Sequence, residues 1–225
     1  MKLYPLIPTS RLAVNIGRIS RKIGIDALTL EPTALTGIIV LANGTPDDWV
    51  VALISHHLNG RRKILGIVKP EVTRLGVLNS LPTYLEVLKG DKIAILVDQE
   101  DENLDSLFNE VGRKLSEIGI SARNVVKERR LWVYDCKRGG KEFRLIVVVN
   151  GLDDYPFEKH SIEDHLLKAA ERLLKIEVNE RDPKKGWNKL KDRQVELFRK
   201  LKDIKNLNDI FPQQIRGLKM LLDET

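Results

Sequence analysis

Residues 92–101 read KIAILVDQED, an apolar run that ends in a cluster of acids. A short continuous run rich in β-branched residues is typical of a strand that is buried on both faces of a parallel sheet. Similar runs occur at residues 35–42 (LTGIIVLA) and 64–68 (ILGIV). Stretches with helical periodicity separate these runs. The alternation predicts an α/β fold with a sheet that is mainly parallel at its centre.

The same patterns place the remaining elements. Helices are predicted at residues 11–25, 46–58, 71–88, 102–118, 161–176, 187–201 and 213–222, and further strands at 125–126, 131–135 and 143–149. Thr45 and Ser161 are expected to be N-caps, and Asn59-Gly60 is expected to end the helix that Thr45 begins. The stretch from Cys136 to Lys141, with its two glycines, indicates the turn of a β-hairpin.

Composition excludes several classes of protein. The 225 residues contain one cysteine, so neither an intramolecular disulfide framework nor a cysteine-rich zinc site can form. The sequence contains no apolar run of the ~18 residues that cross a membrane, and the N-terminal stretch lacks the features of a signal peptide. We therefore expect a soluble, cytoplasmic protein. Charged residues make up 31%, which is typical of the ion-pair-rich surfaces of thermophilic proteins.

The net charge of +6 is unevenly distributed along the chain. Residues 1–36 carry +3, residues 37–183 carry −2 and residues 184–225 carry +5. We expect an N-terminal basic helical segment (1–36), a central α/β domain (37–180) and basic C-terminal helices packed on that domain (181–225). An acidic centre between basic ends suits a metal next to phosphates, but terminal helices often carry extra lysines for solubility alone.

Acidic and amide side chains follow the predicted strands. They are Asn43, Asp47 and Asp48 after the first strand, Asp98, Glu100 and Asp101 after the central one, and Asn150, Asp153 and Asp154 after the hairpin, with Glu163 at the next helix start. Ligands of open α/β sheets lie at the carboxyl ends of the strands, and Mg²⁺ prefers oxygen ligands. Asp98 and Glu100 are two positions apart, which places them on one side of an extended chain. The alternative is that these acids only cap helices and solubilise loops.

The order of these motifs resembles that of the Toprim (topoisomerase–primase) domain, especially its small stand-alone versions and the overcoming-lysogenization-defect-type nucleases. In that family the first strand ends in Glu-Gly, followed by a turn, an Asp and a helix. Residues 38–54 (IIVLANGTPDDWVVALI) have this layout with Asn43-Gly44. The family's D-x-D motif corresponds to Asp98 with Glu100 or Asp101, and a late S-I-E-D helix start to residues 161–164. The likeness covers roughly residues 37–176.

The resemblance implies a Mg²⁺ or Mn²⁺ site with Asp98, Glu100 and Glu163 as ligands and Asp47 in support. A metal there would polarise a phosphoryl group. Toprim enzymes are thought to use the first-motif Glu as general acid or base, and the Asn43 carboxamide cannot exchange a proton near neutral pH. The resemblance therefore implies a nucleic-acid-associated protein. On this resemblance it would be a weak or degenerate nuclease and, if active, a metal-dependent phosphodiesterase. The resemblance assigns no catalytic residue.

The C-terminal segment is basic and amphipathic. Its predicted contacts to the phosphates of DNA or RNA are Lys189, Arg193, Arg199, Lys200 and Lys202. Aromatic residues make up only 5%, so any nucleic-acid binding should be mainly electrostatic. The alternative is a solvated helix face without a partner.

Two other functions fit the same residues. One is a non-catalytic interaction module without a metal site, and the other is an α/β protein that binds a small phosphorylated ligand. The sequence indicates no membrane partner and does not define the oligomeric state.

Overall fold

The computed structural model describes residues 1–31, 34–58, 63–87 and 91–222. The strands are β1 (Lys2–Pro5), β2 (Gly37–Leu41), β3 (Ile64–Val68), β4 (Lys92–Asp98), β5 (Ser121–Lys127), β6 (Leu131–Arg138) and β7 (Lys141–Asn150). The helices are α1 (Arg11–Ile23), α2 (Asp47–His57), α3 (Leu81–Val87), α4 (Leu104–Glu117), α5 (Ile162–Leu174), α6 (Pro183–Lys189), α7 (Gln194–Lys202) and α8 (Pro212–Leu221). Short 3₁₀-helices span Arg74–Ser80 and Leu207–Asp209.

All seven strands form one sheet in the order β1-β3-β2-β4-β7-β6-β5. The first five strands in this order are parallel to one another. At the other end of the sheet, β6 is antiparallel to β7, and β5 is antiparallel to β6. The predicted α/β class with a mainly parallel sheet is therefore confirmed, as is the hairpin, which turns at Gly139 and Gly140 between β6 and β7.

Helices cover both faces of the sheet, because the central strands are apolar on both sides. In β4, Ala94 and Leu96 face a core shared with α1, α2, α5, α7 and α8. Ile93, Ile95 and Val97 of the same strand face a second core shared with α3 and α4. The result is a three-layer α/β/α arrangement.

Both ends of the chain contact the central sheet. The strand β1, which periodicity did not reveal because it has only four residues, pairs with β3. The helix α8 packs against β4 and β7. The terminal segments predicted at 1–36 and 181–225 thus share a core with residues 37–180. No helix in the described ranges is long and apolar enough to cross a membrane.

Two predicted helices differ in detail. Within the helix predicted at residues 71–88, residues 74–80 form a 3₁₀-helix and residues 81–87 form α3. Leu88 and the helix end predicted at Asn59-Gly60 lie outside the described residues. The single helix expected at 187–201 is divided into α6 and α7. This break allows Trp187 and Phe198 both to face the core, where their ring centroids are 6.3 Å apart.

The predicted cap of α2 is also different. Pro46 occupies the N-cap position and makes no side-chain capping bond. Thr45 instead donates from its hydroxyl to Oδ2 of Asp48 at 3.0 Å. Ser161 does precede α5, as predicted, and its backbone N–H donates to Asp164 Oδ1 at 3.1 Å within a capping box.

The close approach of α8 to the sheet depends on Gly217. A Cβ atom at this position would overlap Cγ2 of Val148 in β7. We expect Gly217→Ala to lower the free energy of unfolding by about 1–3 kcal/mol, because overpacking displaces α8 from the sheet. Urea denaturation measures this change.

Gly112→Ala is the matched control. Gly112 lies within α4, and among the described residues a Cβ there would meet no atom within 4 Å apart from its chain neighbours and the backbone of its own helix. This variant should be stabilised by roughly 0.5–1 kcal/mol, because alanine restricts the unfolded chain and favours the helix. Equal effects of the two substitutions would contradict the packing of α8 described above.

Candidate functional site

Three parallel strands end at one edge of the sheet, and polar residues follow each of them. β2 leads through α2 towards β3, whereas β4 leads through α4 towards β5 on the opposite side. The neighbouring strands β2 and β4 therefore flank a topological switch point, where open α/β sheets bind ligands. Asp47 follows β2, and Asp98 ends β4 opposite Asn150 of β7.

The Asn150 side chain joins the polar groups at this edge. Its Nδ2 donates to Oδ1 of Asp47 at 2.8 Å and to Oδ1 of Asp98 at 3.0 Å. Its Oδ1 accepts from Nε2 of Gln214, in α8, at 2.9 Å. Asn150 and Gln214 are fully buried, and the two carboxylates almost so. One carboxamide thus fixes the carboxylates of two different elements on the same side of the sheet.

The helix α5 brings a third acid to the same place. The backbone N–H of Ile162, at the start of α5, donates to Oδ1 of Asp98 at 3.3 Å. This contact directs the positive end of the helix dipole at the Asp98 carboxylate. Glu163, the next residue, is 6% exposed, and its Oε2 has no hydrogen-bond partner among the described residues. The structure therefore contains a buried carboxylate oxygen without a donor beside two other acids.

Glu100 is held in a different way. Its backbone exchanges two hydrogen bonds with His160, at 2.7 and 2.8 Å, which ties the loop after β4 to the start of α5. Its φ of +57° is unusual for a residue with a Cβ atom, and such strain concentrates at functional sites. The side chain accepts from Nζ of Lys184 at 2.6 Å, and the same Nζ lies 3.8 Å from Oδ2 of Asp98.

Burial and mutual repulsion dominate the electrostatics of the site. Burial and the charge of Glu163 raise the pKa of Asp98 to about 7. Burial, with the nearby Asp98 and Glu163 carboxylates, raises the pKa of Asp47 well above its usual value, and burial also raises the pKa of Glu163. Burial opposes the charge of Lys184, but the hydrogen bond to Glu100 and the neighbouring acids raise its pKa overall. The site therefore attracts protons or cations.

The acids open into a cleft of about 520 Å³. Asp47, Asp98 and Glu163 line it together with Lys69 and Lys184. Two C-terminal helices also line the cleft, α6 through Trp187 and α7 through Gln194.

The structure brings three of the four predicted metal ligands together. Asp47, Asp98 and Glu163 line the cleft, whereas Glu100 and Asp98 line a second pocket of about 180 Å³. In the described part of the chain, no group of three or more Asp, Glu, His or Cys side chains has the arrangement of a metal site. Coordination of a cation would therefore require the carboxylates to move, and the metal set stays a prediction.

Asn43 also lines the cleft, half-buried, and the structure places no acid at that position. Its Nδ2 is buried and has no hydrogen-bond partner in the described ranges. The Asn43 carboxamide cannot transfer a proton near neutral pH.

Sequence reasoning missed the contributions of Gln214 and Lys184 and the central position of Asn150. Asn150 had a signal, because it is the polar end of an apolar strand. Gln214 had none, because it lies 64 positions after Asn150 and no sequence pattern links the two. Lys184 was one of eleven basic residues in its region.

The five predicted nucleic-acid contacts lie on or beside α6 and α7. Lys189 forms a salt bridge with Glu180, and Arg193 one with Glu196 at 2.9 Å. Arg199 donates to the backbone oxygen of Lys22 at 3.1 Å. The other two predicted contacts are Lys202 and Lys200. Nζ of Lys202 lies 3.7 Å from Oδ1 of Asp203, whereas Lys200 is exposed and forms no salt bridge with the described residues.

Comparisons with known proteins do not identify a relative. No protein-family model, no curated protein and no solved structure matches the chain. The Toprim resemblance thus rests on the motifs quoted above, and it stays a prediction.

The pKa of Asp98 leads to a test of the site's electrostatics. The usual pKa of an Asp is 3.8, whereas in the folded protein that of Asp98 is about 7, so the folded state retains the proton more strongly. Stability is thereby lost as the pH rises from about 4 to about 7. In EDTA at pH 8, we expect Asp98→Asn to be more stable than wild type by about 1–3 kcal/mol, because the carboxamide is neutral and its oxygen can still accept.

Thermal unfolding between pH 4 and pH 8 measures this difference, which should vanish near pH 4. Asp101→Asn is the control, because Asp101 is exposed, and it should follow wild type at every pH. An Asp98→Asn variant that is less stable than wild type at pH 8 would show that Lys184 fully compensates the buried charge.

Proposed function

We propose that the cleft binds a divalent cation, Mg²⁺ or Mn²⁺, and through it the phosphates of a nucleic acid. The observation that carries this proposal is the buried Oε2 of Glu163, which lies beside Asp47 and Asp98 and has no hydrogen-bond partner among the described residues. An ionised carboxylate is costly to bury unless a hydrogen-bond donor or a cation compensates it.

The charge balance of the cleft supports a cation of higher charge than a lysine. Lys184 is the cation nearest to Asp98 and Glu100, and Lys69 is the second lysine of the cleft wall. Lys184 is already hydrogen-bonded to Glu100, so Asp47 and Glu163 depend on another positive charge or on protonation. Oxygen ligands of this kind favour Mg²⁺ or Mn²⁺ over softer metals.

The residues around the acids suit a phosphate ligand. Lys69 and Lys184 in the cleft can contact phosphate oxygens, and a bound divalent cation supplies Lewis-acid polarisation of the phosphoryl group. Asn43 supplies no general acid or base, so binding is better supported than rapid phosphodiester cleavage. The proposal is therefore a nucleic-acid-associated protein with weak or no nuclease activity.

The position of the basic helices supports the same partner. Trp187 and Asn188 of α6 and Gln194 of α7 line the cleft, so Lys189 and Arg193 lie next to it in the chain. The apolar side of α7, with Leu197, Phe198 and Leu201, is buried, so its basic side chains lie on the outer surface. A nucleic-acid backbone along α7 could thus reach the cleft.

Calorimetric titration with Mg²⁺ and Mn²⁺ tests the metal site. We expect wild type to bind one ion, and Asp98→Ala and Glu163→Gln to weaken binding by about a hundredfold, since each removes one charged ligand. Asp101→Ala should bind like wild type. The absence of binding to wild type would favour the non-catalytic interaction module, and equal binding by Asp98→Ala would place the ion elsewhere.

Gel shifts at several salt concentrations test the basic helices. Affinity for DNA or RNA should fall as salt rises, and Lys200→Ala should reduce the slope of log K against log[salt] by about one. Lys137→Ala is the matched control, because Lys137 lies near the hairpin turn, at the opposite edge of the sheet. An affinity that does not depend on salt, or equal slopes for the two variants, would contradict electrostatic binding by α7.

A further inference from the structure

Another cavity, of about 850 Å³, lies at the same edge of the sheet and shares no lining residue with the cleft. Because β6 is antiparallel to β7, the first residues of β6 lie beside the last residues of β7. The start of β6, the loop after β7 and the helix α8 enclose this cavity, which we name the arginine groove. Its volume is in the range of small-molecule sites.

Arg130 is the most deeply buried charge of the groove. It is 7% exposed, and its Nη2 donates to Oδ1 of Asp153 at 2.7 Å. Its Nε and Nη1 have no hydrogen-bond acceptor among the described residues. A buried guanidinium stays charged, and donors without acceptors cost free energy, so the site lacks acceptor atoms that an anion could provide.

The chain is shaped to admit this guanidinium. Gly151 has a φ of +129°, and a Cβ there would lie 2.9 Å from Nη1 of Arg130 and 2.6 Å from Cβ of His160. Only glycine fits this conformation and this space. Gly151 follows Asn150 directly, so the backbone that places Asn150 against the Asp47 and Asp98 carboxylates of the cleft also forms part of the wall of the arginine groove.

The groove has more positive than negative charge. Asp153 is paired with both Arg129 and Arg130. Across the groove, on α8, Arg216 is paired with Glu128, whereas Lys219 is exposed and forms no salt bridge with the described residues. An anion would therefore meet an under-compensated pair of arginines on one wall and an exposed lysine on the other.

Part of the lining is apolar, beside the polar side chains of Asp154, Asn208 and Gln213. Leu131, Leu152 and Met220 contribute to the walls, and exposed Arg129 has a planar guanidinium on which a flat group can stack. We propose that the arginine groove binds a phosphate ester attached to a planar or apolar group, such as a nucleotide, with Arg130 and Lys219 contacting the phosphate. The resident Asp153 carboxylate occupies part of the phosphate position when no ligand is bound.

If Asp153 competes with the phosphate, removing its charge should strengthen ligand binding, whereas the loss of a purely structural contact should not. Asp153 lies on the loop after β7, and its side chain is 40% exposed, so it can give way to a ligand. Asp153→Asn removes the competing charge and should tighten binding of AMP by about tenfold, whereas Lys219→Ala should weaken it by about tenfold. Both positions are partly or fully exposed, so neither variant depends on the folding role of Arg130.

Equilibrium dialysis of the full chain with AMP, with inorganic phosphate and with an oligonucleotide lacking terminal phosphates provides the test. Asp101→Asn and Lys137→Ala are the charge-matched controls and should bind like wild type. Binding of AMP alone assigns a free nucleotide, and binding of the oligonucleotide alone assigns a nucleotide within a strand. Either result supports the proposal if Asp153→Asn and Lys219→Ala shift affinity in opposite directions.

Three results would overturn it. The first is that neither wild type nor Asp153→Asn binds AMP or the oligonucleotide. The second is that both groove variants bind with the same affinity as wild type. The third is that inorganic phosphate binds as tightly as AMP. Mg²⁺ titration of the groove variants separates this site from the cleft. Metal binding should be unchanged in them, and its absence from wild type would affect only the proposal for the cleft.

Discussion

The hydrogen bonds of the Asn150 carboxamide join the parts of the chain that form the cleft. The amide holds Asp47 from the start of α2 and Asp98 from the end of β4, while its oxygen accepts from Gln214 of α8. All of these atoms are buried, where an unpaired polar group is costly. A single side chain therefore positions the ends of β4 and β7, the start of α2 and the helix α8 relative to one another.

The same arrangement accumulates negative charge that the protein's own lysines balance only in part. Natural folds usually avoid buried acids in contact, because desolvation and repulsion both disfavour the charged form. Their presence at a topological switch point is the pattern expected of a site that binds a cation or a proton. The positive φ of Glu100 fits this view, since backbone strain tends to persist where function requires a given geometry.

Local sequence was sufficient for much of the fold and part of the site. Apolar runs marked β2, β3, β4 and β7, because strands buried on both faces must be continuously hydrophobic. The position of acids after predicted strands was sufficient to predict that Asp47, Asp98 and Glu163 lie close together, as they do in the cleft. Glu100 is different, since the two-residue alternation of a strand ends with β4 at Asp98, and the left-handed backbone at Glu100 directs its side chain to Lys184.

The sequence by itself therefore determined the α/β class, the parallel centre of the sheet and the edge at which acids gather, because periodicity and burial are properties of short segments. Tertiary structure alone decided which polar atoms meet. Asn150 and Asp47 are 103 residues apart, and Arg130 and Asp153 are 23 apart. A hydrogen bond requires its two atoms to be about 3 Å apart, and only the packing of whole elements provides that precision.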